Sequence, residues 1–202
     1  MSQSDTGADR QETILNAAFH SFAAYGFRRT SMEDIATAAG LSRTALYLHF
    51  KSKEDIFRSL SARYFQEALR DMAGALDQPG CNPAETLRAA FVAKDGKFMD
   101  VVFGTPHGKE LLDAGFSISA DLAEAGEVEM IRLLSAYFAR HRIALGVGSA
   151  QDLAQTLTAA LWGLKSSATS LDDYRAGQAR LAALFAMALT GSADVGGTAT
   201  LP

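Results

Sequence analysis

The chain contains little of what an exported or membrane-inserted protein requires. Cys81 is its only cysteine, so no disulfide can form within the chain, and we expect a reducing cytoplasmic location in which Cys81 is an incidental thiol. The opening MSQSDTGADRQ lacks the apolar h-region of a signal peptide, and the longest obvious apolar run, residues 181–189, is about half as long as a membrane span. These absences predict a protein that is neither exported nor inserted in a membrane.

Strand patterns, catalytic patterns and metal-binding patterns are missing as well. No segment alternates apolar and polar residues over a useful length, and β-branched residues do not cluster, which argues against strands. The four histidines have no short metal-ligand spacing among themselves, so we expect neither a metal site nor a cofactor. Glu110 and Asp113 share a helix face in ELLDAG, but a solvated first turn explains that pair, and no nucleophile and base have a convincing spacing. We therefore do not expect an enzyme.

An overall excess of positive charge is also missing, since the net charge is −4. The charge is uneven, however. Residues 1–63 hold eight Lys and Arg against seven Asp and Glu, a balance of +1, and residues 64–202 hold eleven against sixteen, a balance of −5. Five cations fall within 26 residues of the first part: Arg28, Arg29, Arg43, Lys51 and Lys53. Such local clustering, rather than net charge, is what phosphate binding requires.

The spacing typical of helices is present almost throughout. Apolar residues recur at intervals of three and four, which predicts an all-α fold of about nine helices. The first helix ends at Gly26, capping residues around Ser31 open the second, and Gly40 ends the second by a left-handed turn. Ser42 opens a short third helix that we expect to reach about residue 50. A long fourth helix and a fifth from Pro83 to about residue 103 follow.

The second and third helices suggest a contact with DNA. Two helices joined by a tight glycine turn, the second short and polar outside, are typical of a helix-turn-helix unit that reads the major groove. If Leu46 and Phe50 point inward, helical geometry turns the polar side chains between them outward. Arg43 suits guanine O6 and N7, and Thr44, Ala45 or Leu48 suits a thymine methyl. Four further side chains suit phosphates: Tyr47, His49, Lys51 and Lys53.

The segment ILNAAFHSFAAYGFRRTSMEDIATAAGLSRTALYLHFKSKEDIF resembles the amino-terminal DNA-binding domain of the TetR family of bacterial transcriptional regulators. The resemblance covers about residues 12–60 and includes, in order, F..YGF..T, the turn IA..AG.S, LY.HF in the third helix and K.KE at the start of the fourth. Residues 61–202 resemble the family's divergent regulatory domain only in length and helix order, apart from phrases such as GKELLDA and LTAALWGLKSSA.

The resemblance implies roles for particular residues. Six are expected to approach DNA: Thr30, Arg43, Thr44, Tyr47, His49 and Lys53. Ala45, Leu48 and Lys51 are further candidates. Many family members have a glycine where this chain has Thr44, so the operator sequence cannot be transferred from them.

The helix pattern and the resemblance together predict the domain organisation. Residues 1–9 and 191–202 are expected to be disordered, residues 10–55 to form a three-helix DNA-binding domain with its motif at about 31–50, and residues 56–190 to form a helical regulatory and dimerisation domain. Family members pair through their last two helices. The corresponding apolar stripes of this chain fit such an interface, and they fit an intramolecular core equally well. The interface residues we predict are Leu153, Leu157, Leu161, Leu164, Leu181 and Phe185.

A pocket for a small apolar effector is expected in the second domain. Such pockets are lined by apolar and aromatic side chains with a few polar anchors. The residues predicted to line it are Phe91, Phe98, Phe103, His107, Met130 and Trp162, although helical spacing predicts burial of each whether or not a cavity exists. We therefore expect a homodimeric regulator, most simply a repressor, that leaves a palindromic operator when the effector binds. The alternatives are a constitutive helix-turn-helix protein without an effector and a helical small-molecule enzyme.

Overall fold

The computed structural model of the protein describes residues 3–79, 82–96, 98–143 and 146–190. Within these residues every regular element is an α-helix, which confirms the all-α prediction. In chain order they are α1 (Gln3–Tyr25), α2 (Met32–Ala38), α3 (Arg43–Tyr47), α4 (Lys53–Leu76), α5 (Pro83–Asp95), α6 (Phe98–Gly104), α7 (Gly108–Ile118), α8 (Ala120–Ala139), α9 (Ala150–Ser167) and α10 (Leu171–Thr190). Cys81 and the tail at 191–202 lie outside the described residues.

Side-chain caps explain why α2 and α9 begin where they do. The Ser31 hydroxyl accepts the Asp34 N–H, and the Asp34 carboxylate accepts the Ser31 N–H, so each satisfies a backbone donor of the first turn. Ser149 and Asp152 form the same reciprocal pair before α9. The capping residues that the sequence predicted around Ser31 are confirmed.

Glycine determines two of the helix ends. Gly40 has φ +68°, and the bonds from Leu41 N–H to Ala36 O and from Gly40 N–H to Thr37 O close the end of α2. Gly96 has φ +50° and ψ −150°, a conformation that does not continue a helix. The fifth helix predicted to reach about residue 103 is therefore two helices, α5 and α6, and the described part of the chain holds ten helices rather than about nine.

Two other helix boundaries differ from prediction. α1 begins at Gln3, so the described residues of the segment 1–9, which was predicted to be disordered, lie in its first turns. α3 ends at Tyr47 rather than near residue 50. The N–H groups of Leu48 and His49 donate to the carbonyls of Ala45 and Leu46, three residues back, which tightens the last turn.

The helices form two compact units. The first unit comprises residues 1–66 and 97–124, so the predicted boundary after residue 55 does not coincide with its limits. Its core joins side chains of α1, α2, α3 and α4 with Leu111 of α7. Within this core the rings of Phe22, Phe27 and Phe57 contact one another, with centroids 5.1–5.8 Å apart. The segment 97–124 is therefore part of the unit that holds the helix-turn-helix.

The second unit comprises residues 67–96 and 125–202, and α10 packs there against both α5 and α9. Leu153, Leu157 and Leu161 of α9 are at most 5% exposed and belong to its core. These three leucines face the interior of their own unit, so the interface predicted for them stays an untested prediction. The helical period could not distinguish the two cases, because a stripe has the same spacing whichever partner covers it.

The polar interior of this unit is centred on one carboxylate. Asp95, the last residue of α5, is fully buried. It accepts hydrogen bonds from the Tyr174 hydroxyl (3.3 Å), the Gln178 amide (2.7 Å) and the Arg175 guanidinium (3.0 Å), all of α10. The Lys94 ammonium lies 3.1 Å from Asp95 Oδ1, the oxygen that also accepts the Tyr174 hydroxyl. A buried charge with this many partners ties α5 to α10 and fixes their relative register.

Candidate nucleic-acid interface

The outer side of α3 is an exposed surface made of four side chains, which we call the recognition face: Arg43, Thr44, Tyr47 and Leu48. Leu46 is fully buried and Phe50 is 5% exposed, so the inward residues are those that the sequence predicted. Leu48 remains 82% exposed and Tyr47 42% exposed. One large apolar side chain and one aromatic side chain are thus exposed next to each other on one short helix.

Two members of the recognition face also contact each other. The Arg43 guanidinium lies over the Tyr47 ring, 5.6 Å from its centroid. A hydrogen bond with Tyr47 raises the pKa of the Arg43 guanidinium above its ordinary value, and the Coulombic effects of Tyr47 and Glu33 act in the same direction. The guanidinium is thereby orientated on the helix while it remains exposed to solvent, as a donor for a base edge or a phosphate must be.

The remaining candidates differ in their surroundings. Lys51 is exposed, whereas Ala45 and His49 are partly buried at the edge of the recognition face. Thr30 is 2% exposed, and its hydroxyl donates to the carbonyls of Gly26 (2.8 Å) and Ser21 (3.3 Å). The Thr30 side chain therefore points into the protein, and only the backbone at this position lies near the start of α2.

Lys53 is engaged inside the first unit. Its ammonium donates to the carbonyls of Phe27 (2.9 Å), Arg28 (3.1 Å) and Thr30 (3.1 Å) and lies 4.7 Å from the centroid of the Phe27 ring. Three donors with three acceptors leave no free N–H for a phosphate. The sequence showed a lysine in the first turn of a helix, but it gave no signal for this long-range contact.

A second residue that binds the same segment was missed by sequence reasoning. The Glu110 carboxylate of α7 accepts the Arg28 N–H at 2.8 Å across 82 positions of the chain. Gly26, with φ +84°, leaves space for it: a Cβ there would lie 2.5 Å from Glu110 Oε2. A solvated first turn was expected for Glu110, and the only sequence signal for the contact was Gly26 itself.

The residues predicted to line an effector pocket do not fall in one unit. The first unit contains Phe98, Phe103 and His107, and the second contains Phe91, Met130 and Trp162. Phe91 is fully buried in the second core, whereas Trp162 is 56% exposed on α9. In the first unit the Phe98 ring contacts Tyr64 with centroids 4.9 Å apart, and His107 Nδ1 lies 3.7 Å from Glu110 Oε2.

In the described part of the chain, no group of three or more His, Cys, Asp or Glu side chains could hold a metal ion. No helix among those residues is both long and apolar enough to cross a membrane.

Comparison with known proteins gives matches for the first 60 residues in particular. Residues 14–60 match the sequence model described as bacterial regulatory proteins, tetR family. The chain is 39% identical over 88 residues to the HTH-type transcriptional repressor BepR of Brucella suis biovar 1 (strain 1330), a match covering 43% of this chain and 41% of BepR. It is 43% identical over 58 residues to the HTH-type transcriptional regulator AcrR of Shigella flexneri, covering 27% of each. The matches thus span less than half the length of either relative.

Solved structures extend the likeness of the fold. SmeT, the repressor of the Stenotrophomonas maltophilia multidrug efflux pump SmeDEF, superposes with a TM-score of 0.64 at 22% identity over 88% of each chain. A SmeT–triclosan complex superposes with a TM-score of 0.66 at 20% identity, over 96% of this chain and 98% of that one. The similarity in fold therefore extends well beyond the helix-turn-helix. Residues 14–60 of the chain are thus similar to bacterial regulatory proteins of the tetR family.

Proposed function

We propose that the protein is a homodimeric transcriptional regulator that binds a palindromic operator in double-stranded DNA. The observation that carries this proposal is the recognition face, in which a guanidinium, a hydroxyl, a phenol and an isobutyl group are exposed on the second helix of a helix-turn-helix. These groups have the donors and methyls that read base edges. The names of BepR and SmeT as repressors favour repression as the direction of regulation.

The first experiment is a salt titration of binding to the DNA upstream of the protein's own gene, with unrelated DNA as the control. Wild type is expected to bind its own upstream DNA more tightly, with an affinity that falls steeply as salt increases. Tyr47→Ala is expected to weaken specific binding by roughly tenfold, because it removes a face residue and the orientation of Arg43. Equal and weak affinity for both DNAs would count against the operator assignment, and no binding at low salt would remove the recognition-face assignment.

A small apolar effector is part of the proposal, supported by the SmeT–triclosan complex as a case in a similar fold. An effector that binds the free conformation tenfold more tightly than the DNA-bound one changes operator affinity by about 1.4 kcal/mol per site. Reciprocity requires that operator DNA weaken effector binding by the same factor. Calorimetry that gives one effector affinity with and without operator would contradict this allosteric part.

The constitutive alternative is separated by a ligand screen. A constitutive helix-turn-helix protein would bind the same DNA but would show no thermal shift with any apolar ligand of the screen. An effector-responsive protein is expected to show a shift that grows with ligand concentration, because a ligand that binds only the folded state stabilises it by mass action.

We propose that the dimer interface lies on the exposed side of α9 and α10, and not at Leu153, Leu157 and Leu161. Trp162 of α9 and Leu184 and Met187 of α10 are 56%, 62% and 68% exposed, which is unusual for large apolar side chains within a single helix pair. Leu164, Leu181 and Phe185, which were also predicted for the interface, are partly buried beside them. A two-fold axis at this surface would provide the symmetry that a palindrome requires.

A further inference from the structure

The loop that joins α1 to α2, residues 26–30, carries two arginines that the recognition face does not include. Arg28 and Arg29 are both exposed. Neither guanidinium has a hydrogen bond or an ion pair with another of the residues that the structure describes. The loop ends one residue before Ser31, the cap of α2, so the two charges lie at the entry to the first helix of the helix-turn-helix.

The backbone of this loop is held from one side by α4. The Lys53 ammonium donates to the carbonyls of Phe27, Arg28 and Thr30, three of the five residues of the loop. The Thr30 hydroxyl closes the loop on itself through its bond to Gly26 O at 2.8 Å. The loop therefore has a defined backbone, although the two arginine side chains point to solvent.

The same backbone is held from another side by α7. Glu110 accepts the Arg28 N–H at 2.8 Å, so the carbonyl of Arg28 binds an ammonium while its N–H binds a carboxylate. Gly26 allows this contact, since its φ of +84° suits glycine and any Cβ would meet the Glu110 carboxylate. Two charged side chains from helices distant in sequence thus fix one residue of the loop.

We propose that the loop of residues 26–30 is a phosphate-binding site separate from the recognition face. In it Arg28 and Arg29 contact the DNA backbone, and Glu110 is the residue that positions the loop. The proposal rests on the proposed function and adds a contact outside the recognition face. In a helix-turn-helix complex the first helix crosses the DNA backbone, which is where a loop entering α2 would lie. A guanidinium binds phosphate through paired donors, and a fixed backbone lowers the entropy lost on binding.

If Glu110 acted through its charge alone, it would weaken DNA binding and not support it. A carboxylate near DNA repels phosphate, so its removal would ordinarily strengthen binding. We infer the opposite result for Glu110, because it holds the backbone from which both arginines project. The sign of the effect therefore separates a positioning role from a simple change of charge.

The first test removes the arginines. Arg28→Ala, Arg29→Ala and the double variant are titrated with salt against the DNA upstream of the protein's own gene, with Arg10→Ala as a control that removes an exposed charge from α1. The slope of log affinity against log salt is expected to fall by about 0.9 for each arginine and about 1.8 for both. The ratio of specific to unrelated affinity is expected to stay within about twofold, because phosphate contacts carry no base information. Arg10→Ala is expected to keep the wild-type slope.

The second test removes the contact between Glu110 and the Arg28 N–H. Glu110→Ala is expected to weaken DNA binding by about tenfold and to lower the salt slope toward that of the double arginine variant. Glu110→Gln keeps an acceptor for the Arg28 N–H and is expected to retain most of the affinity. Asp113→Ala removes an exposed carboxylate from the same helix and is expected to bind no more weakly than wild type. Amide hydrogen exchange is expected to accelerate at Arg28 in Glu110→Ala alone.

The possible outcomes separate the proposed function, the phosphate-binding site and the positioning role of Glu110. If wild type binds no DNA specifically, the proposed function fails and this proposal fails with it. If wild type binds specifically and the double arginine variant keeps its salt slope, the phosphate site fails while the proposed function stands. If Glu110→Ala frees the Arg28 amide but binds DNA as tightly as Asp113→Ala, the positioning role of Glu110 fails.

Discussion

Lys51 and Lys53 lie two residues apart and make different contacts. Lys51 is exposed, whereas the Lys53 ammonium is bound to three carbonyls of the α1–α2 loop and lies against the ring of Phe27. One lysine is available to an outside partner, and the other stabilises the unit that presents it.

Replacing each lysine by methionine is expected to separate these roles. Lys53→Met should lower the free energy of unfolding by roughly 1–3 kcal/mol, because three carbonyls lose a charged donor. Lys51→Met should change it by less than about 0.5 kcal/mol and should lower the salt slope of DNA binding instead. Urea unfolding and DNA titration of both variants test this pair. Equal stability losses would show that the Lys53 contacts contribute little.

Lys165 is expected to make the stability of the second unit depend on pH. Burial, together with the nearby charge of Lys94, lowers the pKa of Lys165 from 10.5 to about 8, against the opposing effect of Asp95. Between these values the unfolded chain binds more protons, so stability should rise with pH from about 8 toward 10.5. Lys165→Met should lack this rise. Urea unfolding of both proteins at several pH values gives the comparison, and parallel curves would contradict it.

The packing of α7 against α6 depends on the absence of a side chain. Gly108 is buried at the first position of α7, and a Cβ there would overlap the backbone of Val101 and Val102 in α6. Gly115, in the same helix, has nothing within 4 Å of such a Cβ. Two glycines of one helix thus have opposite structural requirements.

Alanine substitutions should reflect that difference. Gly108→Ala should destabilise the protein by roughly 1–3 kcal/mol, since backbone atoms cannot move aside as a flexible side chain can. Gly115→Ala should stabilise it by about 0.5–1 kcal/mol through its helix propensity. Thermal unfolding of the two variants is sufficient to decide. A neutral Gly108→Ala would mean that α6 and α7 can separate slightly without loss.

Helix starts and turns were predictable because their causes are local. Ser31 with Asp34, and Gly40 after α2, act within a few residues, and the structure confirms them. The break at Gly96 was missed because the apolar spacing continues across it. The interior position of Leu157 and the contacts of Lys53 and Glu110 depend on residues far away in the chain, which no local pattern encodes. The recognition face was predictable since it follows from which side of one short helix is buried.

At the scale of the whole molecule, the proposed dimer rests on three exposed side chains. Leu184→Glu and Met187→Glu should each raise the dimer dissociation constant by at least about tenfold, because a charge would be buried at an apolar contact. Val128→Glu, on the 65% exposed Val128 of α8, is the matched control and should leave the constant unchanged. Sedimentation velocity over a range of concentrations measures all three. Dimers of unchanged strength in both α10 variants would place the interface elsewhere.

The composition of the first unit has a consequence for recombination between regulators. The segment that matches the tetR sequence model, residues 14–60, shares its core with Leu111, and Glu110 binds its α1–α2 loop. Both residues belong to α7. A chimaera that joined only residues 1–60 to another regulator would lack the interior neighbours that complete this core. Exchange of the proposed DNA-reading head would have to carry two separated stretches of the gene at once, because the first unit also contains the segment 97–124.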